Sequence, residues 1–253
     1  GLVDGFSPSA VARAREATSQ GGGPGEAALA CAGLENGIEV LVCEQQSREL
    51  FAPGYMVAVD HDFGRVVVAL RGTSSVADAL ADLVCEPAAV QLGAHDGTAH
   101  GGMLRAAQRL EGKLAALAEE GLSRLPAGAR RRVMICGHSL GAGVAALVAA
   151  LWRDSGRFNG IEVECIAFAC PQVLDSDLAR AQSNHTTSII VGDDLVPRFS
   201  LATAQDLRAA MLGLSSPAEG GLPPLVSTAE VLAAEARGDT AALAAQYAIL
   251  RPE

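Results

Sequence analysis

Gly137-His138-Ser139-Leu140-Gly141 follows the apolar run Val133-Met134-Ile135-Cys136 and opens a helical pattern that reaches Trp152. A serine with a glycine two residues to either side has chemical meaning in one setting, a strand that turns sharply into a helix. At the tip of such a turn the hydroxyl is exposed, and the glycines remove side chains that would collide with neighbouring backbone. The helix starting at Leu140 then aims its first amides at the site and favours developing negative charge there. This arrangement suits nucleophilic attack on an ester carbonyl. The plainer alternative is a serine that only caps a helix.

Attack also needs a second amide donor for the oxyanion. The strand ending at Leu70 runs into Arg71-Gly72-Thr73-Ser74-Ser75, which makes the Thr73 N–H a candidate to face the Leu140 N–H across the carbonyl oxygen. Thr73 as a simple helix cap is the competing reading. An acid is expected later in the chain, at the end of another strand. Ser188-Ile189-Ile190-Val191 supplies that strand and Gly192-Asp193-Asp194-Leu195-Val196-Pro197-Arg198 its end. Spacing alone does not separate Asp193 from Asp194.

The elements that must hold these residues are legible in the hydrophobic pattern. Residues 1 to 36 read as a helical and loop extension, with Gly21-Gly22-Gly23-Pro24-Gly25 breaking two alanine-rich pieces. Strands are expected at Ile38–Cys43, Tyr55–Asp60 and Arg65–Leu70, the last two joined by a hairpin turn at His61–Gly64. Val66 to Leu70 is apolar throughout, which predicts a central strand. Ser74–Val84 reads as a short helix, followed by a loop with Pro87 and two glycines. A longer helix from about Gly102 to Leu125 carries an apolar stripe through Leu104, Ala107, Leu110, Leu114 and Leu117. Then strand Arg132–Gly137, helix Leu140–Trp152, strand Ile161–Ala169, helix Ser176–Ala181 and strand Thr186–Gly192 alternate, the signature of parallel strands with crossover helices. The tail reads as helices at 203–213 and 228–250. The Gly- and Pro-rich stretch Leu212–Val226 between them is either a plain connector or a cover over the site.

Composition narrows the function classes. The chain has 253 residues, enough for one large α/β domain, and a formal charge of −10. Nucleic acid and anionic lipid both call for a basic surface, so neither is an expected partner. The longest apolar stretch, Val144 to Trp152, is about half the ~20 residues of a membrane-spanning helix. Six cysteines show no CxxC pair and no Cys/His metal spacing, so they are read as free thiols packing as small hydrophobes, and no metal is expected. The chain starts at Gly1 rather than methionine and is read as a piece of a longer protein.

Together the residues resemble the signature segments of class 3 (fungal-type) lipases. The likeness is carried by Gly137-His138-Ser139-Leu140-Gly141-Ala142-Gly143, Arg71-Gly72-Thr73-Ser74, Ala99-His100-Gly101-Gly102-Met103 and Asp194-Leu195-Val196-Pro197-Arg198, in the family's chain order. Within that family the chain is most similar to sn-1-specific diacylglycerol lipases, over roughly Ile38 to Ser200. The resemblance implies an α/β-hydrolase fold over residues 37–253, a mostly parallel central sheet with helices on both faces. It implies Ser139 as nucleophile, Asp194 as the acid, the amides of Thr73 and Leu140 as the oxyanion hole, and a structural role for His100. It also implies a fatty-acyl ester of a neutral glycerolipid as substrate, met at a membrane or droplet interface, with no cofactor. A phospholipase A1 or galactolipase on the same scaffold is the alternative within that class. Location is open between the cytoplasm and a membrane reached through segments outside the chain.

One component is missing from this pattern. The general base of a serine triad is a histidine, and in this fold it follows the acid. The histidines are His61, His95, His100, His138 and His185, and none follows Asp194. Two explanations compete. Either the chain stops before the last strand and the histidine loop, with Ala248-Ile249-Leu250-Arg251-Pro252-Glu253 leading towards them, or the module binds lipid without cleaving it. The first is the expectation, and with it near-inactivity of the 253 residues alone.

Overall fold

The computed structural model describes residues 8–34, 37–45, 53–72, 86–198, 200 and 203. The expected helix at Ser74–Val84, the Thr73 amide, the tail helices and the Leu212–Val226 segment lie outside the described residues. The chain divides into two compact units, Gly1–Arg198 and Phe199–Glu253, and the elements below belong to the first.

Hydrophobic alternation builds a six-stranded sheet in the order β1-β2-β3-β6-β7-β8. β1 (Ile38–Glu44), β2 (Tyr55–Asp60) and β3 (Arg65–Leu70) form an antiparallel meander. β6 (Arg132–His138), β7 (Glu162–Phe168) and β8 (Thr186–Ile189) continue it in parallel from β3. The hairpin between β2 and β3 turns at Gly64, whose φ of 60° is left-handed, and Asp60 braces it through the Phe63 amide (3.1 Å) and the Arg65 guanidinium (2.8 Å). β3 is central, as its apolar run predicts, yet its burial alternates: Val66, Val68 and Leu70 are buried while Arg65, Val67 and Ala69 are half-buried.

The faces are assigned by pairing. Val40 pairs with Ala58, whereas Val66 pairs with Val59, one residue on and therefore on the other face. Helix α2 (Pro24–Ala32) sets Gly25 against Val40, and helix α3 (Gly101–Arg124) sets Gly121 against Val66. Helices thus cover both faces. Ahead of α2, α1 (Pro8–Ser19) is tied to it by Arg13, whose Nε donates to the Ala30 carbonyl at 2.9 Å. Beside α3 lies α4 (Leu140–Asp154), nearly all of it buried because the chain offers it Ala, Val, Leu and Trp on every side. Trp152 is its largest buried anchor, donating Nε1–H to the Glu111 carbonyl at 3.1 Å and meeting Phe158 edge-on at 5.0 Å.

One expectation is corrected. The stretch around Pro87, read as a loop, is a two-stranded hairpin, β4 (Pro87–Leu92) and β5 (His95–His100). Gly93, at φ 62°, opens a two-residue turn between Leu92 and His95, and buried Leu92 packs on Ala150 and Leu178. The hairpin is also held by α5 (Ser176–Ala181), whose N-cap Asp175 accepts the amides of Leu178 (2.9 Å) and Thr98 (2.6 Å). Those amides hold the Asp175 carboxyl below its ordinary range. Two strands stop earlier than their apolar runs: β7 ends where Ala169 takes φ 49°, and β8 ends before the turn at Gly192, φ 55°.

Candidate active site

β6 ends at His138 and α4 begins at Leu140, leaving Ser139 alone at the turn with φ 56° and ψ −125°. A non-glycine residue there is strained by ~1–3 kcal/mol, which persists only where surrounding structure fixes it. Three contacts fix it. The Ser139 amide donates to the Phe168 carbonyl at 2.9 Å, joining the turn to the end of β7. A Cβ on Gly137 would stand 2.4 Å from the Gly141 carbonyl, so the two limbs of the turn touch. A Cβ on Gly141 would stand 2.5 Å from the Leu70 oxygen and 2.6 Å from that of Arg71, so α4 sits directly on the end of β3. The glycine spacing in the sequence is therefore a backbone-contact requirement at both positions.

Ser139 is buried at 7% exposure and makes no side-chain cap bond to the helix. The capping alternative fails on that point. Leu140 is the first residue of α4, where a helix amide has no partner of its own turn. Thr73 itself is undescribed, but Gly72 next to it lies under the His138 carbonyl, where a Cβ would come within 2.6 Å. Arg71 anchors the approach: its amide donates to the Gly54 carbonyl (2.8 Å) and its guanidinium to that of Gln45 (2.9 Å).

Asp194 lies in the turn after β8, at the same C-terminal edge of the parallel strands as Ser139, since β8 pairs in parallel with β7 and β7 with β6. Its Oδ1 accepts the Val196 amide at 3.0 Å, and it is half-buried, whereas Asp193 is exposed. The two aspartates thus differ in burial and in hydrogen bonding.

The histidines are placed elsewhere. His61 sits in the β2–β3 turn and His185 precedes β8, both at the opposite edge of the sheet from Ser139. His61 pairs with Glu39 at 3.1 Å. His100 caps α3, its Nδ1 accepting the Met103 amide at 3.3 Å, which is the structural role expected of it. His95 is exposed at the start of β5, and His138 is the strand residue before Ser139.

The thiols of Cys136, Cys165 and Cys170 are held protonated by burial. Burial pushes the Cys170 thiol up to about 12, and Cys165, also crowded by Cys170 and Cys136, well above its ordinary value. The five described cysteines are free. Among the described residues no cluster of His, Cys, Asp or Glu is grouped to hold a metal ion, and no helix is long and apolar enough to cross a membrane. Sequence reading missed the second strained residue, Ala169, because alanine carries no signal for positive φ. It also missed the β4–β5 hairpin, for which Gly93 between alternating residues was a usable signal.

A mostly parallel sheet with helices on both faces, and a strained serine between β6 and α4, define an α/β-hydrolase. The model of the family "Lipase (class 3)" matches residues 67–204, more than half of the sequence, and the chain belongs to that family. It is 34% identical over 163 residues to mouse (Mus musculus) diacylglycerol lipase-beta, covering 62% of this chain and 23% of that protein. It is 33% identical over 165 residues to human diacylglycerol lipase-alpha, covering 62% and 16%. The chain thus spans less than a quarter of these relatives. Among solved structures, Rhizomucor miehei triacylglyceride lipase is similar in fold, with a TM-score of 0.59 at 20% identity, covering 77% of this chain and 71% of that one.

Proposed function

We propose that the chain is the catalytic core of a serine lipase that cleaves a fatty-acyl ester of a neutral glycerolipid, diacylglycerol in the first instance. The observation that carries this is Ser139 held at φ 56° with α4 seated on the end of β3. Similarity to diacylglycerol lipases supports the substrate class.

In this reading the Ser139 hydroxyl attacks the ester carbonyl while a histidine takes its proton. The amides of Leu140 and Thr73 hold the oxyanion of the tetrahedral intermediate. Its collapse expels the glycerol oxygen, which receives the proton from the imidazolium, and leaves an acyl group on Ser139. Water, activated by the same histidine, then releases the fatty acid. Asp194 accepts the other ring N–H and keeps the imidazole in the productive tautomer. None of the chain's five histidines follows Asp194, so in this reading the base is one that these 253 residues do not supply. The same observation favours a second reading, a module that binds lipid without cleaving it.

The test is labelling with a fluorophosphonate followed by peptide mapping, together with hydrolysis of dispersed diacylglycerol by the full-length protein. Label on Ser139, and hydrolysis that disappears in Ser139→Ala, support the lipase. Label elsewhere refutes the assignment. Lipid binding with neither label nor hydrolysis selects the second reading, and faster turnover of phospholipid or galactolipid selects the phospholipase A1 or galactolipase alternative.

A further inference from the structure

The turn that carries Asp194 is closed by a side chain from its own far end. Arg198 reaches back over the turn, and its guanidinium donates Nη2–H to the Gly192 carbonyl at 3.1 Å and Nη1–H to the Asp194 carbonyl. Its own amide donates to the Leu195 carbonyl at 3.0 Å, closing the single 3-10 turn Val196–Arg198. At the other end the Asp194 amide donates to the Val191 carbonyl at 3.3 Å. Gly192 takes φ 55°, so the chain reverses at a residue with little intrinsic preference for one conformation.

We propose that Arg198 is the positioning residue for the acid, a planar two-pronged clamp that fixes the Gly192–Asp194 backbone and so aims the Asp194 carboxylate. The proposal rests on the assignment of Asp194 as the acid. The choice of partners is informative. A guanidinium laid on the carboxylate itself would compete with a histidine for it. Arg198 instead binds two main-chain carbonyls, and Asp194 Oδ1 is taken by the Val196 amide. Among the described residues Oδ2 has no hydrogen-bond partner, which leaves one carboxylate oxygen for a base. The two prongs give the two carbonyls a shared donor in a turn that is open to water. The rigid fork of arginine spans both, whereas the single ammonium of lysine is a point charge. The hydrogen bonds of Arg198 all go to main-chain carbonyls of its own turn, so it acts through Asp194.

Arg198→Gln and Arg198→Lys in the full-length protein test this by two independent readouts. The first is amide hydrogen exchange, which requires no catalysis. Arg198→Gln is expected to speed exchange of the Asp194 and Val196 amides by about tenfold or more relative to amides of β6 and β7. The second is ester hydrolysis per fluorophosphonate-titrated site. Arg198→Gln is expected to lower kcat on the order of 10–100-fold at little-changed KM, as a misplaced catalytic group does. It should also lower the apparent pKa of the base in the profile of kcat/KM, because an ill-aimed carboxylate supports the imidazolium less. Arg198→Lys should recover part of kcat. Unchanged exchange at Val196 overturns the clamp. Faster exchange with an unaltered kcat and pH profile overturns the positioning role. A wild-type protein without hydrolysis refutes the proposed function, and the clamp is then judged on exchange alone.

Discussion

The Ser139 amide donates to the carbonyl of Phe168, 2.9 Å away, one residue beyond the last strand pair of β6 and β7. The same step is repeated across the next strand, where the Ala169 amide donates to the Ile189 carbonyl at 2.9 Å. Ser139 and Ala169 are the non-glycine residues with positive φ among those described, and each donates its amide to the end of the neighbouring strand. The ladder thus continues past the regular sheet and ties the serine turn to β7, and β7 to the strand that leads into the Asp194 turn. A strained residue persists only where its surroundings over-determine it, and these two bonds do so.

Relief of that strain is measurable. Ser139→Gly and Ser139→Ala both remove the hydroxyl and are both expected to abolish hydrolysis, but only glycine takes φ 56° without penalty. We expect Ser139→Gly to be the more stable of the two by about 1 kcal/mol, the reverse of the order at an ordinary helical site. Thermal unfolding of the pair reads this directly. An alanine variant of equal or higher Tm would mean that the turn relaxes in its absence.

The seat of α4 on β3 is the second test. In Gly141→Ala the new methyl stands 2.5 Å from the Leu70 oxygen and 2.6 Å from the Arg71 oxygen, backbone atoms that have no room to yield. The helix must lift, at a cost of about 1–3 kcal/mol, and the Leu140 amide moves with it. Lower Tm and lower kcat are expected together. Gly112→Ala, on α3 with nothing within 4 Å of its new methyl, is the control and should leave Tm unchanged or slightly raised.

The two aspartates differ in environment and are expected to differ in effect. Asp194→Asn keeps an oxygen to accept the Val196 amide, so the turn and the stability should survive. The rate should nevertheless fall by about 10³–10⁴, since an amide no longer fixes the tautomer of the base. Exposed Asp193→Asn should remain within a fewfold of wild type. Steady-state kinetics in the opposite order would show that Asp193 is the acid.

His185 makes stability depend on pH. Burial, and then the positive charge of Arg153, lower its pKa from 6.5 to about 4 in the folded chain. Between these values the unfolded chain binds the proton and the folded one does not, so stability falls as pH drops from about 6.5 to 4 and levels off below. Replacing the ring with a side chain that does not titrate, as in His185→Gln, should reduce the loss of Tm between pH 7 and 4.5. Equal losses in both proteins would assign the acid sensitivity to carboxylates instead.

The sequence by itself determined the parallel sheet, the serine at its turn and the family resemblance, because each rests on local rules. Alternation marks strands, glycines two residues either side of Ser139 mark a turn that tolerates no Cβ, and Gly64 marks a hairpin. The expected bounds of β2, β3 and α5 needed no correction. Only tertiary structure distinguished the burial of Asp194 from that of Asp193, since the two are chemically identical neighbours. They differ in that Asp194 accepts the Val196 amide within a turn that Arg198 ties back to Gly192. Only tertiary structure showed that Ala169 is strained and that Leu92 draws a glycine-containing stretch into a hairpin by packing on Ala150 and Leu178. Such facts belong to contacts between distant segments, and residue type and spacing carry no record of them.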